Sequence, residues 1–311
     1  MNYEKIRGNE VKFTTLTSLT TEEFDYLLPQ FETELKRIYR KTSRGTIRLN
    51  KFKWRAELPS AAHHLFFVLT YLKENPTQEF HGAIFDISQE TVSGIIKSSL
   101  TALNETLRMK KLLPCTQGED YAGFISDLKE RFKDYSHLAS ASTQDALMDC
   151  SEIKIQRPLD EGEQKDNYSG KKKHHTLKKL IISLFCGFIV FSSHQFNGSV
   201  SDKKVADLEE INFHKDTFLW TDLGFLGYKS PNIHLIIPHK KPKGGELTDE
   251  QKTENQTIAS YRIRNEHAIG GMKRCRIMKD VIRIHHAEKR DKIFSCCAGI
   301  HNLRILARNT A

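Results

Sequence analysis

The chain has 311 residues, 28% of them Asp, Glu, Lys or Arg and 38% hydrophobic, with a mean hydropathy of −0.52. That length suits two domains with substantial cores, and the composition excludes both a polytopic membrane protein and a fully disordered chain. Forty-eight Lys and Arg against 39 Asp and Glu leave a net charge of +9, which favours a polyanionic partner such as nucleic acid.

The six cysteines lack paired spacing: Cys296 and Cys297 are adjacent and the others lie far apart, as reduced thiols of a cytosolic protein do. The opening MNYEKIRGNEVKF mixes charges from the fourth residue and has no apolar core of a secretory leader, so export is not expected. The greasiest stretch, LIISLFCGFIVF at 180–191, is well short of the roughly 20 residues a spanning helix needs. It reads as buried strand, and no membrane partner is expected.

Over residues 20–41, Phe24, Leu27, Leu28, Phe31, Leu35 and Ile38 recur at three- and four-residue intervals, the mark of an amphipathic helix. Thr20 and Glu23 resemble a capping box, and Pro29 is expected to bend or interrupt the helix. A basic stretch, KTSRGTIRLNKFKWR, follows, whose commoner meaning is a solvated linker. Residues 58–72 predict a second helix, ended by Asn75-Pro76, and a short one then runs through Ile84. The next starts at Ser88, a good N-cap, with Val92, Ile95, Ile96, Leu100 and Leu103 as its buried face. Two helices at a tight turn, with Ser88, Gln89, Glu90 and Ser93 exposed at the start of the second, match a helix-turn-helix facing the major groove, although plain three-helix bundles look similar. His63 and His64 have no ligand-spaced partners and read as packing residues.

Beyond a polar helix at 121–135 the texture changes to short strands. Asp149 lies in mid-strand between Met148 and Cys150, where an acid is costly unless paired or metal-bound. The polar segment that follows concentrates Lys171, Lys172, Lys173, His174, His175, Lys178 and Lys179. It reads as a solvated loop or a phosphate contact. Residues 180–194 read as two strands turning near Gly187, followed by a short helix after Asp202. Asp222 ends a further strand ahead of Gly224 and Gly227. A helix is expected over 248–279, on which Arg262, Glu266 and Lys273 share one face. Such a grouping is often only an ion-pair stripe. Its value rises because Asp149 and Asp222 also sit at strands, and three acids from two strands and a helix can hold two divalent cations. His285, His286, Cys296, Cys297 and His301 could be drawn as a zinc site, but FSCCAGIHNLRIL has the period of a packing helix.

In order, SGKKKHHTLK, GSVSDK, TDLGFLGY and RIRNEHAIGGMKR resemble the DDE transposases of bacterial insertion sequences, close to the group related to Harbinger elements, and FDISQETVSGIIKSSL resembles the helix-turn-helix ahead of that nuclease. The resemblance covers about residues 60–305. It implies an α/β chain: a ribonuclease H-like mixed-sheet catalytic domain at 140–305, preceded by an all-α helix-turn-helix DNA-binding domain at 58–115 and a helical region at 1–57. It implies Asp149, Asp222 and Glu266 as catalytic and metal-binding triad, with Arg262 and Lys273 as accompanying basic positions. Ala259, Cys150, Ser201 and Phe225 depart from the residues usual in the family.

Two Mg²⁺ ions, with Mn²⁺ as substitute, fit three carboxylates better than zinc does. Such a pair, about 3.5–4 Å apart, stabilises the attacking and leaving oxygens of phosphodiester cleavage. Asp149 is expected to bridge the ions, Asp222 to bind one and Glu266 the other. Lys171, Lys172 and Lys173 would hold the backbone, and Ser88, Gln89, Glu90 and Ser93 would read terminal inverted repeats. Asp202 ranks below the triad, as an acid ahead of a helix. The partners expected are double-stranded element ends and target DNA, with at least a homodimer on DNA, in a cytoplasmic, nucleoid-associated protein. The competing readings are a decayed or domesticated DNA-binding protein and a nuclease that cleaves without joining.

Overall fold

The computed structural model describes residues 1–41, 54–135, 137–139 and 141–307. Most of the basic stretch after Lys41 lies outside the described residues. In chain order the elements are helices α1 (Tyr3–Arg7), α2 (Glu10–Thr17), α3 (Thr21–Lys41), α4 (Ala61–Glu74), α5 (Gln78–Phe85), α6 (Gln89–Met109) and α7 (Tyr121–Phe132). They are followed by β1 (Asp145–Lys154), α8 (Glu161–Asn167), β2 (Tyr168–Ser169), β3 (His174–Leu184), β4 (Ile189–Ser192) and β5 (Phe196–Asn197). Last come α9 (Asp202–Glu209), β6 (Thr217–Trp220), β7 (Ile233–Ile236), α10 (Asp249–Met272) and α11 (Ala287–Ala307). Packing groups these into two compact units, Met1–Leu113 with Lys273–Arg304, and Pro114–Met272 with Ile305–Ala311. The segment after α10 thus packs with the amino-terminal helices, a partition that linear boundaries do not display.

In the helical unit, α3 begins with the expected reciprocal cap: Glu23 N donates to Thr20 Oγ1 (3.1 Å) and Thr20 N to Glu23 Oε2 (2.9 Å). Pro29 does not interrupt α3, which runs unbroken to Lys41. A mid-helix proline costs about 3 kcal/mol. Phe24, Leu27, Phe31 and Leu35 are fully buried on one face, each contributing about 1.5–3 kcal/mol, so packing wins. Helices α1 and α2 are not legible as apolar periodicity. Asn2 and Asn9 cap them, and Tyr3 and Phe13 anchor them in the aromatic core around Phe24 and Phe66.

The turn between α5 and α6 is set by Asp86 in the left-handed region (φ 59°) and by Ile87 N donating to Gly82 O at 2.9 Å. A Cβ on Gly82 would lie 2.3 Å from the Ile87 carbonyl, so the two helices close only over a glycine. Val92, Ile95, Ile96, Leu100 and Leu103 are buried as expected. In the same unit α11 packs behind α6, with Cys296 Sγ against Asn104 and Gly299 against Leu107. Cys296 and Cys297 on α11 are free and buried, and His301 is 2% exposed, as befits a packing helix; Cys275, in the turn after α10, is free and buried as well.

The second unit is built on a mixed sheet. Its path is β2-β3-β1-β6-β7, with β4 and β5 also paired to β3. Strand β1 runs antiparallel to β3 and parallel to β6, which is parallel to β7. Gly187 (φ 87°) turns β3 into β4, where the sequence placed the turn. Three details differ from the sequence reading. Strand β3 starts at His174, inside the cationic segment, so Lys178 and Lys179 are buried strand residues, not loop cations. A short helix, α8, capped by Asp160, forms where loop was expected. Helix α10 stops at Met272 instead of near Lys279, because the chain leaves it for a turn and a 3₁₀ segment at Arg276–Met278.

Candidate active site

Strand pairing brings the first two acids together. Leu147 of β1 is in register with Trp220 of β6, and Asp149 and Asp222 lie two residues beyond each in the same direction. With a side-chain period of two, both carboxylates leave the same face of the sheet. Asp149 Oδ1 accepts the Cys150 N–H (2.7 Å), and Asp222 Oδ1 accepts the Gly224 N–H (2.8 Å).

Helix α10 covers that face. Ser183 Oγ donates to the buried Asn265 Oδ1 (2.8 Å), and Tyr261 packs on Trp220 and Phe185, with ring centroids 4.9 and 5.2 Å away. These anchors set Arg262 Nη2 at 3.8 Å from Asp222 Oδ2. The aromatic trio comes from β6, α10 and the turn after β3, and carries no signal in local sequence.

Burial pushes the Asp149 carboxyl up to about 6; the nearby Asp222 and Asp202 raise it too, and the Cys150 N–H and Arg262 offset part of the rise. Three carboxylates, Asp149, Asp222 and Asp202, thus stand near one another with two cations, Arg262 and Lys178, among them. Hard carboxylate oxygens with surplus negative charge suit a divalent cation of the Mg²⁺ class. Among the described residues, no three His, Cys, Asp or Glu side chains are gathered as a ligand set.

Glu266, one turn beyond Arg262 on α10, is exposed and makes no hydrogen bond or ion pair among the described residues. Lys273 is not on that helix face as expected, since α10 ends one residue earlier, and it packs with the helical unit. Lys171, Lys172 and Lys173 are exposed in the turn between β2 and β3.

Asp202 is the first residue of α9, which Ser201 caps. Its Oδ1 pairs with the buried Lys178 Nζ (2.7 Å), which also donates to Val200 O (2.6 Å). Lys178 is opposite Glu152 and Leu180 opposite Cys150, so this pair belongs to the other face of β1 from Asp149. The Cys150 thiol is pushed up by burial and bonds to Asp202, a protonated neighbour rather than a ligand. Asp202 and Asp222 both flank Gly224, where a Cβ would sit 2.8 Å from Asp222 Oδ1 and 3.2 Å from Asp202 Oδ2. Gly224→Ala is therefore expected to displace the Asp222 carboxylate and lower any cleavage rate by about 10²-fold, as misplacement near 1 Å does. Circular dichroism should show the fold intact; a wild-type rate would show that the crowding is harmless.

In the helical unit, Ser88, Gln89, Glu90 and Ser93 are exposed at the start of α6, with Gly94 and Lys97 next along the same face. Ser88 Oγ donates to Thr91 Oγ1 (3.0 Å) and accepts no backbone N–H of α6. His63 and His64 pack, against Tyr3 (4.9 Å between centroids) and against Ser99 (3.4 Å).

Residues 148–302 match the family model of the DDE superfamily endonuclease, and residues 56–108 match that of the helix-turn-helix of DDE superfamily endonuclease. The two matches together span more than half of the chain, which belongs to the DDE superfamily of transposase endonucleases. No curated protein and no solved structure matches it. Among the described residues no helix is long and apolar enough to cross a membrane.

Proposed function

We propose that this chain is a transposase that binds the ends of its element through α5 and α6, cleaves phosphodiester bonds at the Asp149–Asp222 site and joins the freed 3′-hydroxyl to target DNA. The observation that carries the reading is the placing of two carboxylates on one sheet face at adjoining strands, under a helix that offers Arg262 and Glu266 one turn apart. The order β4-β3-β1-β6-β7, antiparallel up to β1 and parallel beyond it, supports a ribonuclease H-like fold. In this reading Asp149, Asp222 and Glu266 hold two Mg²⁺, with Mn²⁺ able to substitute. The ions supply Lewis-acid stabilisation of the attacking and leaving oxygens.

The residues of the chain do the rest. Arg262, half-buried and paired with Asp222, is placed to hold a phosphate beside the carboxylates. Lys171, Lys172 and Lys173 draw in the backbone without reading sequence, and Lys273 adds charge from beyond the end of α10. Ser88, Gln89, Glu90 and Ser93 reach base edges in the major groove. Two ends must meet, so the DNA complex is at least a homodimer, on DNA in the nucleoid.

The test is cleavage of duplex DNA carrying the flanking inverted repeats, in Mg²⁺ or Mn²⁺, by wild type and Glu266→Gln. Cutting at the repeat boundary by wild type only is the expected result. Equal cutting by both would remove Glu266 from the triad, and binding without cutting by either would favour a decayed, regulatory protein.

A further inference from the structure

The segment after α10 contains a histidine pair and several cations that the nuclease site does not use. It folds back within the helical unit beside α6. Between them runs an open groove of about 620 Å³. One wall is α6, through Ser93 and Lys97; the other is formed by His285, His286, Lys289 and Lys292. Ser93 is among the residues expected to face bases, so the groove continues the recognition surface.

The charges in the groove are unequally engaged. Lys292 is paired with Glu288 (2.9 Å), and Arg283 donates to Asn75 O (2.9 Å), which fixes the second wall to the end of α4. Lys97 and Lys289 are in no ion pair among the described residues; the Glu288 carboxyl is held below the usual range chiefly by its hydrogen bond to Lys292, and Lys97 adds a smaller pull in the same direction. One carboxylate thus faces three lysines and two histidines. The α6 register gives this geometry a direction. Lys97 is one helical turn beyond Ser93 on an exposed face, with Gly94 beside it presenting no side chain, and a Cβ at Gly94 would meet nothing within 4 Å. A polyanion lying along α6 could approach its backbone there and run into the groove.

We propose that this groove holds the DNA sugar-phosphate backbone flanking the bases read by α6, with Lys97 and Lys289 as its phosphate contacts and His285 and His286 on its edge. A stretch of sequence within the endonuclease match would then serve DNA binding from inside the helical unit. This rests on the DNA-binding reading of α5 and α6.

The test is the salt dependence of binding to a fluorescent duplex carrying the inverted repeat, using the full chain in EDTA so that cleavage does not interfere. Each phosphate contact adds about 0.9 to the slope of log K against log salt. Lys97→Gln/Lys289→Gln should flatten the slope by about 1.8 while circular dichroism stays unchanged. Lys12→Gln, exposed on α2, should leave it as in wild type. An unchanged slope in the double variant overturns the groove assignment and leaves the DNA-binding reading standing. An equal fall in Lys12→Gln also overturns it, as a bulk charge effect. Failure of wild type to bind any duplex sinks the DNA-binding reading and the groove with it.

Discussion

Asp149→Asn should reduce metal-dependent DNA cleavage by about 10³-fold or more, the size expected when a site loses several kcal/mol of charge stabilisation. In the same variant, folding stability in EDTA at pH 8 should rise by roughly 2–3 kcal/mol. The sign follows from the raised carboxyl. An acid whose folded value, about 6, lies above its unfolded one gives stability that is full below the unfolded value and lost as pH climbs through 6. At pH 8 the wild-type carboxylate is buried, ionised and crowded by Asp222 and Asp202. Asparagine keeps the Cys150 N–H acceptor and removes the charge. Urea unfolding with excess EDTA reads the stability, and single-turnover cleavage reads the activity. A variant that cuts normally would displace Asp149 from the chemistry. One that is inactive but less stable would show that the carboxylate is structural.

Acid should unfold the helical unit through two buried imidazoles. His64 and His81, 1% and 0% exposed, are both lowered to about 4 by burial. His81 is enclosed by Phe67, Tyr71 and Phe85, and its Nε2 lies 3.1 Å from Phe67 O. A base whose folded value is depressed takes protons first in the unfolded chain. Stability is therefore full above about 6.5 and falls as pH drops toward 4, by about 2 kcal/mol per imidazole at pH 5. Trp54, with its ring 5.5 Å from His64, reports locally once Trp220 is replaced by phenylalanine. In that background, His81→Gln should lose about 2 kcal/mol less than its parent between pH 7.5 and 5. Parallel curves would assign the acid sensitivity to carboxylates instead.

Local sequence was sufficient wherever a feature repeats over a few residues. The capping box at Thr20, the buried face of α6, the turn at Gly187 and the packing role of α11 all follow from periodicity and turn chemistry, because each depends on neighbours within about two helical turns. Asp149 and Asp222 could be picked out as acids in apolar strands. The family motifs, read in order, identified the nuclease and its helix-turn-helix.

Packing decided the rest. Pro29 stays inside α3 because four fully buried side chains outweigh a lost hydrogen bond. Lys178 and Lys179 are core strand residues, since the sheet extends into the cationic segment and Asp202 supplies a counter-charge to Lys178 that lies 24 residues away. The face shared by Asp149 and Asp222 depends on the register of two strands whose paired residues, such as Leu147 and Trp220, are far apart in sequence. The seating of α10, which carries Arg262, depends on an aromatic trio drawn from β6, α10 and the turn after β3. The return of the segment after Met272 to the helical unit, which builds the groove beside α6, is likewise a choice among burial partners. No window of sequence contains both sides of such a choice.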